Sequence, residues 1–198
     1  GDAALARFFQ DLREDILKNT ESFIGRQADP QPQPDGRQDP GQPQPAKDTV
    51  RSRYRVNVFV DNAETKGAPI IIEDHPTTAN LLGCIERESE LGTLVTDFTL
   101  IKSGSIHRAN GGFLVLHMDD LMQHPAAWEG LMRALKASAA RLEDNPDIPD
   151  TTVRTKGLRP LPVPLDLKVI LIGDEYLYEG LLDSDERFAK LFRVKAEM

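Results

Sequence analysis

Two stretches of this chain are apolar without any polar alternation, which is how strands of a parallel sheet read when helices cover both faces. They are residues 113–116, Phe-Leu-Val-Leu, and residues 167–172, Leu-Lys-Val-Ile-Leu-Ile, whose one polar residue, Lys168, stands near its start. Around them the periodicity changes repeatedly. Leu5, Phe8, Phe9, Leu12 and Ile16 recur at helical spacing, with Arg7–Asp11 and Glu14–Lys18 as i,i+4 pairs on the outer face. Tyr54, Val56, Val58 and Val60 alternate with Arg55, Asn57 and Asp61 and predict a strand, and 69–73 predicts a second. Thr77 or Thr78 caps a predicted helix whose inward stripe is Leu81, Leu82 and Ile85, with Cys84 as core filling. Residues 94–101 are favourable for a strand, ended by a turn at Ser103-Gly104. Pro125 suits the first position of a helix carrying Trp128, Leu131, Met132, Leu135 and Leu142. Two prolines, with Pro164 just after them, make 158–163 an extended edge, and helices over 175–182 and 185–192 lead to a last short strand at 193–197. Strands separated by helices in this order predict a doubly covered α/β sheet.

The stretch 105–121 organises the rest. A polar helical turn and the pair Gly111-Gly112 lead into the apolar strand, which delivers His117, Met118, Asp119 and Asp120 at its carboxyl end. Ligand crevices of open α/β sheets lie at that end. Residues 28–46 differ in kind, with six prolines, five glutamines and no large apolar residue, so burial cannot offset the entropy of ordering them. The organisation expected is therefore residues 1–26 as the end of a helical arm, 27–50 as a disordered linker, and 51–198 as the α/β core.

A formal net charge of −8 argues against nucleic acid as a partner, since affinity for phosphates needs Lys and Arg in excess. No run is long and apolar enough to cross a bilayer, so no membrane partner is expected. One cysteine and four scattered histidines give no zinc spacing and no disulfide, which fits a reducing, cytoplasmic setting. His75 before Pro76 and His124 before Pro125 read as loop and cap residues rather than metal ligands.

A longer string is more specific. Gly92-Thr93-Leu94-Val95-Thr96-Asp97-Phe98-Thr99-Leu100-Ile101-Lys102, then Gly104, then Ile106-His107-Arg108-Ala109-Asn110-Gly111-Gly112, resembles the Lon-related ATP-dependent proteases, a branch of the Lon family. Further blocks stand in the expected order: Tyr54-Arg55-Val56-Asn57-Val58, Gly67-Ala68-Pro69, Glu73-Asp74, Pro164-Leu165-Asp166-Leu167-Lys168-Val169 and Leu191-Phe192-Arg193-Val194. The resemblance runs from about Arg53 to Met198, and the N-terminal helix is similar, less specifically, to the family's helical insertion.

That resemblance implies a partial AAA+ module with a P-loop NTPase-like sheet, in a homo-hexamer that takes unfolded or damaged proteins and is fused to a serine–lysine protease domain. ATP and Mg would be cofactors of the full-length protein and none is expected for this stretch alone. No G-x-x-x-x-G-K-[ST] occurs, so the phosphate-cradling loop is expected before Gly1 and the protease dyad after Met198; no catalytic residue is assigned. The strand ends supply nucleotide-site candidates. Asp174 falls at the position that senses the γ-phosphate, with a helix N-cap as the other reading. His117 and Met118 stand where an ATPase carries paired acids, and the acids come next, at Asp119 and Asp120; imidazole is a poor ligand for a hard cation. Arg187 is the candidate for an arginine reaching a neighbouring subunit's nucleotide, or an ordinary surface arginine. His107 and Arg108 are interface candidates or parts of a structural turn. Phe98 and Leu100 are substrate-contact candidates, sharing one strand face, or Phe98 packs on the sheet. Two functions follow: a part of an ATP-driven unfolding machine, or a degenerate AAA+ assembly and substrate-binding module without nucleotide turnover.

Overall fold

The computed structural model describes residues 3–20, 54–90, 93–142 and 158–197. The proposed linker at 27–50 and the polar loop at 144–150 lie outside the described residues. The chain divides into two units, Gly1–Val56 and Asn57–Met198. In the first, α1 (Ala3–Lys18) is the amphipathic helix its spacing predicts, and Leu5, Phe8, Phe9 and Leu17 on it are exposed. Tyr54 Oη donates to Asp15 at 2.6 Å.

The second unit is built on a three-stranded parallel sheet of β1 (Ile70–Glu73), β6 (Phe113–His117) and β9 (Lys168–Ile172), in the order β1-β6-β9. The glycine-flanked strand is thus the central one. Ile72 stands level with Val115 and Ile170, and His117 level with Ile172, so the strands end together. A side chain at Gly112 would fall 2.0 Å from Pro69 O, the acceptor of the Phe113 N–H that begins the β1–β6 ladder. Gly111, at φ +85°, takes the left-handed turn that lets its N–H donate to Asp166 O at 2.8 Å on the approach to β9.

Between β1 and β6 the chain makes α2 (Thr78–Leu82), β2 (Cys84–Ile85), a hairpin of β3 (Glu88–Glu90) and β4 (Thr93–Val95), a single 3₁₀ turn at Phe98–Leu100, β5 (Ile101–Lys102) and α3 (Ser105–Arg108). Thr77 caps α2 by accepting from Asn80 N–H, as its position predicts. After β6 come α4 (Met118–Met122), α5 (Pro125–Ala137) and the paired short strands β7 (Ala139–Ala140) and β8 (Val163–Pro164); α6 (Glu175–Ser184) and α7 (Glu186–Leu191) follow β9. The core gathers Leu114 and Leu116 of β6 with Leu81, Ile106, Leu131 and Met132, all fully buried. Trp128, Phe188 and Phe192 tie α5 to α7, with ring centroids 5.1–6.5 Å apart.

Several expectations need correction. Helices cover only one face of the sheet among the described residues: on the other, Ile70 and Ile72 are 66% and 61% exposed, and Ile170 and Ile172 are 46% and 39%. Residues 193–197 run without strand pairing, so the predicted last strand is absent there. Residues 54–60 are not a strand either, and the alternation is inverted: Val56 and Val58 face solvent while Asn57 and Phe59 turn inward. The predicted strand at 94–101 is broken by Asp97, whose carboxylate accepts from Thr99 N–H and Oγ1 and winds the 3₁₀ turn. Ile85 has left the helix, because Gly83 ends α2 at φ 80° in a space where a Cβ would fall 2.5 Å from Lys102 O. Leu142 lies beyond α5, which Ser138 closes in the left-handed conformation.

Candidate functional site: the carboxyl end of the sheet

β6 and β9 bring the strand-end candidates to one edge, as their shared register requires. His117 is the N-cap residue of α4 and is half-buried, while Met118 is buried with its thioether against Gly173. Asp119 is exposed and Asp120 half-buried in the first turn of α4. Asp174 caps α6, its Oδ1 accepting from Leu177 N–H at 2.8 Å. Beside it lies an open cavity of about 780 Å³, lined among others by Met118, Ile172, Asp174, Tyr178, Phe188 and Lys195. Lys195 Nζ sits 5.0 Å from the centre of the Tyr178 ring and 3.0 Å from both Glu175 Oε1 and Glu197 Oε1, and those carboxylates raise its pKa.

This edge does not fit a magnesium site. Met118 offers a buried thioether where a carboxylate would be needed, Asp174 is engaged by its own helix, and no three ligand-type side chains are grouped for a metal among the described residues. It fits a crevice floored by Asp174 with one positive charge, Lys195, on its wall.

Arg187 stands apart from that edge. Its guanidinium spans α7 and α5, with Nη1 and Nη2 on the Glu129 carboxylate at 2.8 and 2.7 Å and Nε and Nη2 on Asp185 at 2.9 and 2.7 Å. These bonds hold Asp185 at a pKa of about 2 and lower that of Glu129. A forked guanidinium suits this double carboxylate clamp.

His107 and Arg108 come from the turn of α3. His107 is buried, its Nδ1 accepting from Gly104 N–H at 3.3 Å, so the ring proton resides on Nε2, which has no partner among the described residues. Burial pushes its pKa down to about 4, and the Phe59 ring meets it edge-on at 4.8 Å. Arg108 pairs with Glu73, at the carboxyl end of β1, at 3.3 Å. Gly104 is required by close approach, since a Cβ would fall 2.3 Å from Leu81 O. Asn110 ties the same turn to the approach of β9, donating to Pro164 O at 2.9 Å and accepting from Asp166 N–H at 2.8 Å.

Phe98 and Leu100 do not share a strand face; they lie in the 3₁₀ turn at the root of the β3–β4 hairpin, both half-buried. Asn57 holds that root, its Nδ2 donating to Phe98 O at 2.9 Å and Ile101 O at 3.0 Å. Asn57, Phe59, Glu73 and Glu129 were not singled out as site residues from sequence. Asn57 carried a signal, as a polar member, with Arg55, of the block 54–58, but periodicity assigned it to the outer face. His75 and His124 meet ring to ring at 5.4 Å, bringing the end of β1 beside the start of α5.

A parallel sheet with its polar residues gathered at the carboxyl ends and a helical layer after each strand is an AAA+ module's partial α/β core, of the P-loop NTPase-like class. Residues 66–198 match the LonB-like AAA domain family, and the chain belongs to it. It is also 30% identical over 143 residues to the "Putative Lon protease homolog" of Escherichia coli (strain K12), covering 70% of this chain. The matched region spans 21% of that relative's length.

Proposed function

We propose that this chain is the substrate-handling portion of the AAA+ module of a Lon-type ATP-dependent serine protease, which works as a cytoplasmic homo-hexamer that unfolds proteins and passes them to a proteolytic chamber. The observation that carries this reading is the insertion between β1 and β6: it carries the β3–β4 hairpin on a pinned root, and the block most specific to the family, 92–112, runs from the second strand of that hairpin through the root and α3 to the start of the central strand. An extended polypeptide can be gripped by such a projection through apolar contact without any reading of its sequence. Phe98 and Leu100 then act at the base of the hairpin. On this reading the phosphate-cradling loop, the ligands of Mg and the serine–lysine dyad belong to residues outside these 198. The chain by itself is expected to hydrolyse neither ATP nor peptide.

The test is degradation of a labelled, permanently unfolded casein by the full-length protein with and without ATP. ATP-dependent loss of casein supports the reading. In that protein Phe98→Ala should slow casein degradation while leaving cleavage of a short peptide unchanged; equal loss of both would make Phe98 a packing residue only.

His117 and Met118 favour a second reading, a degenerate module that keeps assembly and substrate binding without nucleotide turnover, because neither side chain replaces the paired acids. Casein binding and ring assembly that proceed with no measurable ATP hydrolysis would select it.

A further inference from the structure

Residues 57–60 form a strap in place of the strand their alternation predicts. Its two inward side chains have different contacts: Phe59 rests on the buried His107 of α3, and Asn57 reaches the root of the hairpin. The Asn57 amide bridges two carbonyls that flank the 3₁₀ turn, Phe98 O and Ile101 O, from more than forty residues away. Both acceptors are carbonyls, so only the NH₂ side of the amide can face them, and its orientation is determined. Two further bonds close the root below: Glu86 N–H donates to Leu100 O at 2.9 Å, and Thr96 Oγ1 donates to Glu86 O at 2.9 Å. Those bonds join the two legs of the insertion to each other. Asn57 joins the root to a separate part of the fold, and through Phe59 the same strap rests on α3, whose Arg108 reaches Glu73 at the carboxyl end of β1.

We infer that Asn57 is a positioning residue for the polypeptide-contacting hairpin: its two hydrogen bonds set the angle at which the insertion leaves the sheet, and so where the hairpin meets a substrate. This rests on the proposed function, since it takes the hairpin as the part that meets polypeptide. The residue touches no substrate itself. Removing its bonds should release the root without opening the core, because the fully buried cluster on β6, α2, α3 and α5 contains no atom of Asn57.

The test uses three variants of the full-length protein. Asn57→Asp keeps the shape but turns a carboxylate toward two carbonyl oxygens; Asn57→Gln keeps the amide on a longer stem; Val58→Thr alters the outward face of the same strap as a control. In Asn57→Asp, hydrogen exchange of peptides covering 86–102 should quicken about tenfold, the order expected for losing two amide–carbonyl bonds, with no change in peptides covering β6. KM for unfolded casein should rise by about tenfold while kcat and the cleavage of a short peptide stay within about twofold of wild type. Asn57→Gln should recover part of both effects, and Val58→Thr should show neither. Unchanged exchange at 86–102 in Asn57→Asp overturns the latch. Quickened exchange with an unchanged casein KM, or with peptide cleavage and melting midpoint falling in parallel, overturns the positioning role. If wild type takes up no unfolded polypeptide while exchange still quickens in Asn57→Asp, the proposed function fails and the latch stands as a structural bond alone.

Discussion

The two faces of the β1-β6-β9 sheet are made of the same residue types and have opposite fates. On one, Leu114 and Leu116 are fully buried under α2, α3 and α5. On the other, Ile70, Ile72, Ile170 and Ile172 remain between 39% and 66% exposed. An unbroken apolar run therefore identifies a strand of a parallel sheet, but it does not tell which face the described helices occupy. The difference also says where this chain keeps its stability: truncations on the covered face leave cavities, whereas truncations on the open face remove atoms that already meet water.

The sharpest check of that contrast is Leu116→Ala, which should destabilise the second unit by about 2–5 kcal/mol, read from the urea midpoint. Next in size is an acid effect on the covered side. The imidazole of His107 has an ordinary pKa of 6.5 and is held at about 4 by burial, so the unfolded chain takes up this proton first as the pH falls. Its neutral form therefore contributes fully above pH 6.5, and up to roughly 3 kcal/mol is lost between pH 6.5 and 4. Urea titrations across that window should show the fall in wild type and a flatter profile in His107→Gln, whatever that variant's stability at pH 7.

Gly112→Ala tests the junction of the strands. Its Cβ would fall 2.0 Å from Pro69 O, and the shift needed to clear it should cost about 1–3 kcal/mol, seen as a lower melting midpoint and faster exchange at Phe113 N–H. The smallest effect belongs to the open face. Ile72→Ala in this chain should change stability by less than about 1 kcal/mol, since most of the side chain is already in water. If it cost as much as Leu116→Ala, the contrast between the faces would be broken and that face would have to be covered in solution.

Elements whose signal is local were legible before any coordinates. Helix α1, the Thr77 cap, Pro125 at the start of α5, the central strand and Asp174 as an N-cap all follow from period, cap chemistry or proline geometry, which act over a few residues. The family could be read too, because the block 92–112 combines glycines required by close backbone approach, Gly104 and Gly112, with polar residues that bond across the fold, His107 and Asn110. Less of the candidate site was legible. The sequence placed His117, Met118, Asp119, Asp120 and Asp174 at strand ends, and the edge they form is where it put them.

What the amino-acid sequence determined by itself was the kind of fold, the central strand and the edge where polar groups gather, since each depends on a repeat or a cap within reach of its neighbours. Tertiary structure alone decided which face of each strand is covered, which side of residues 57–60 turns inward, and what Arg187 and Asn57 hold. Arg187 meets Glu129, 58 residues away, and Asn57 meets the carbonyls of Phe98 and Ile101, 41 and 44 residues away. No period of two or 3.6 carries information over such separations. At 57–60 the side that turns inward carries the ring contact with His107 and the donor for the carbonyls of Phe98 and Ile101, while Val58 faces water.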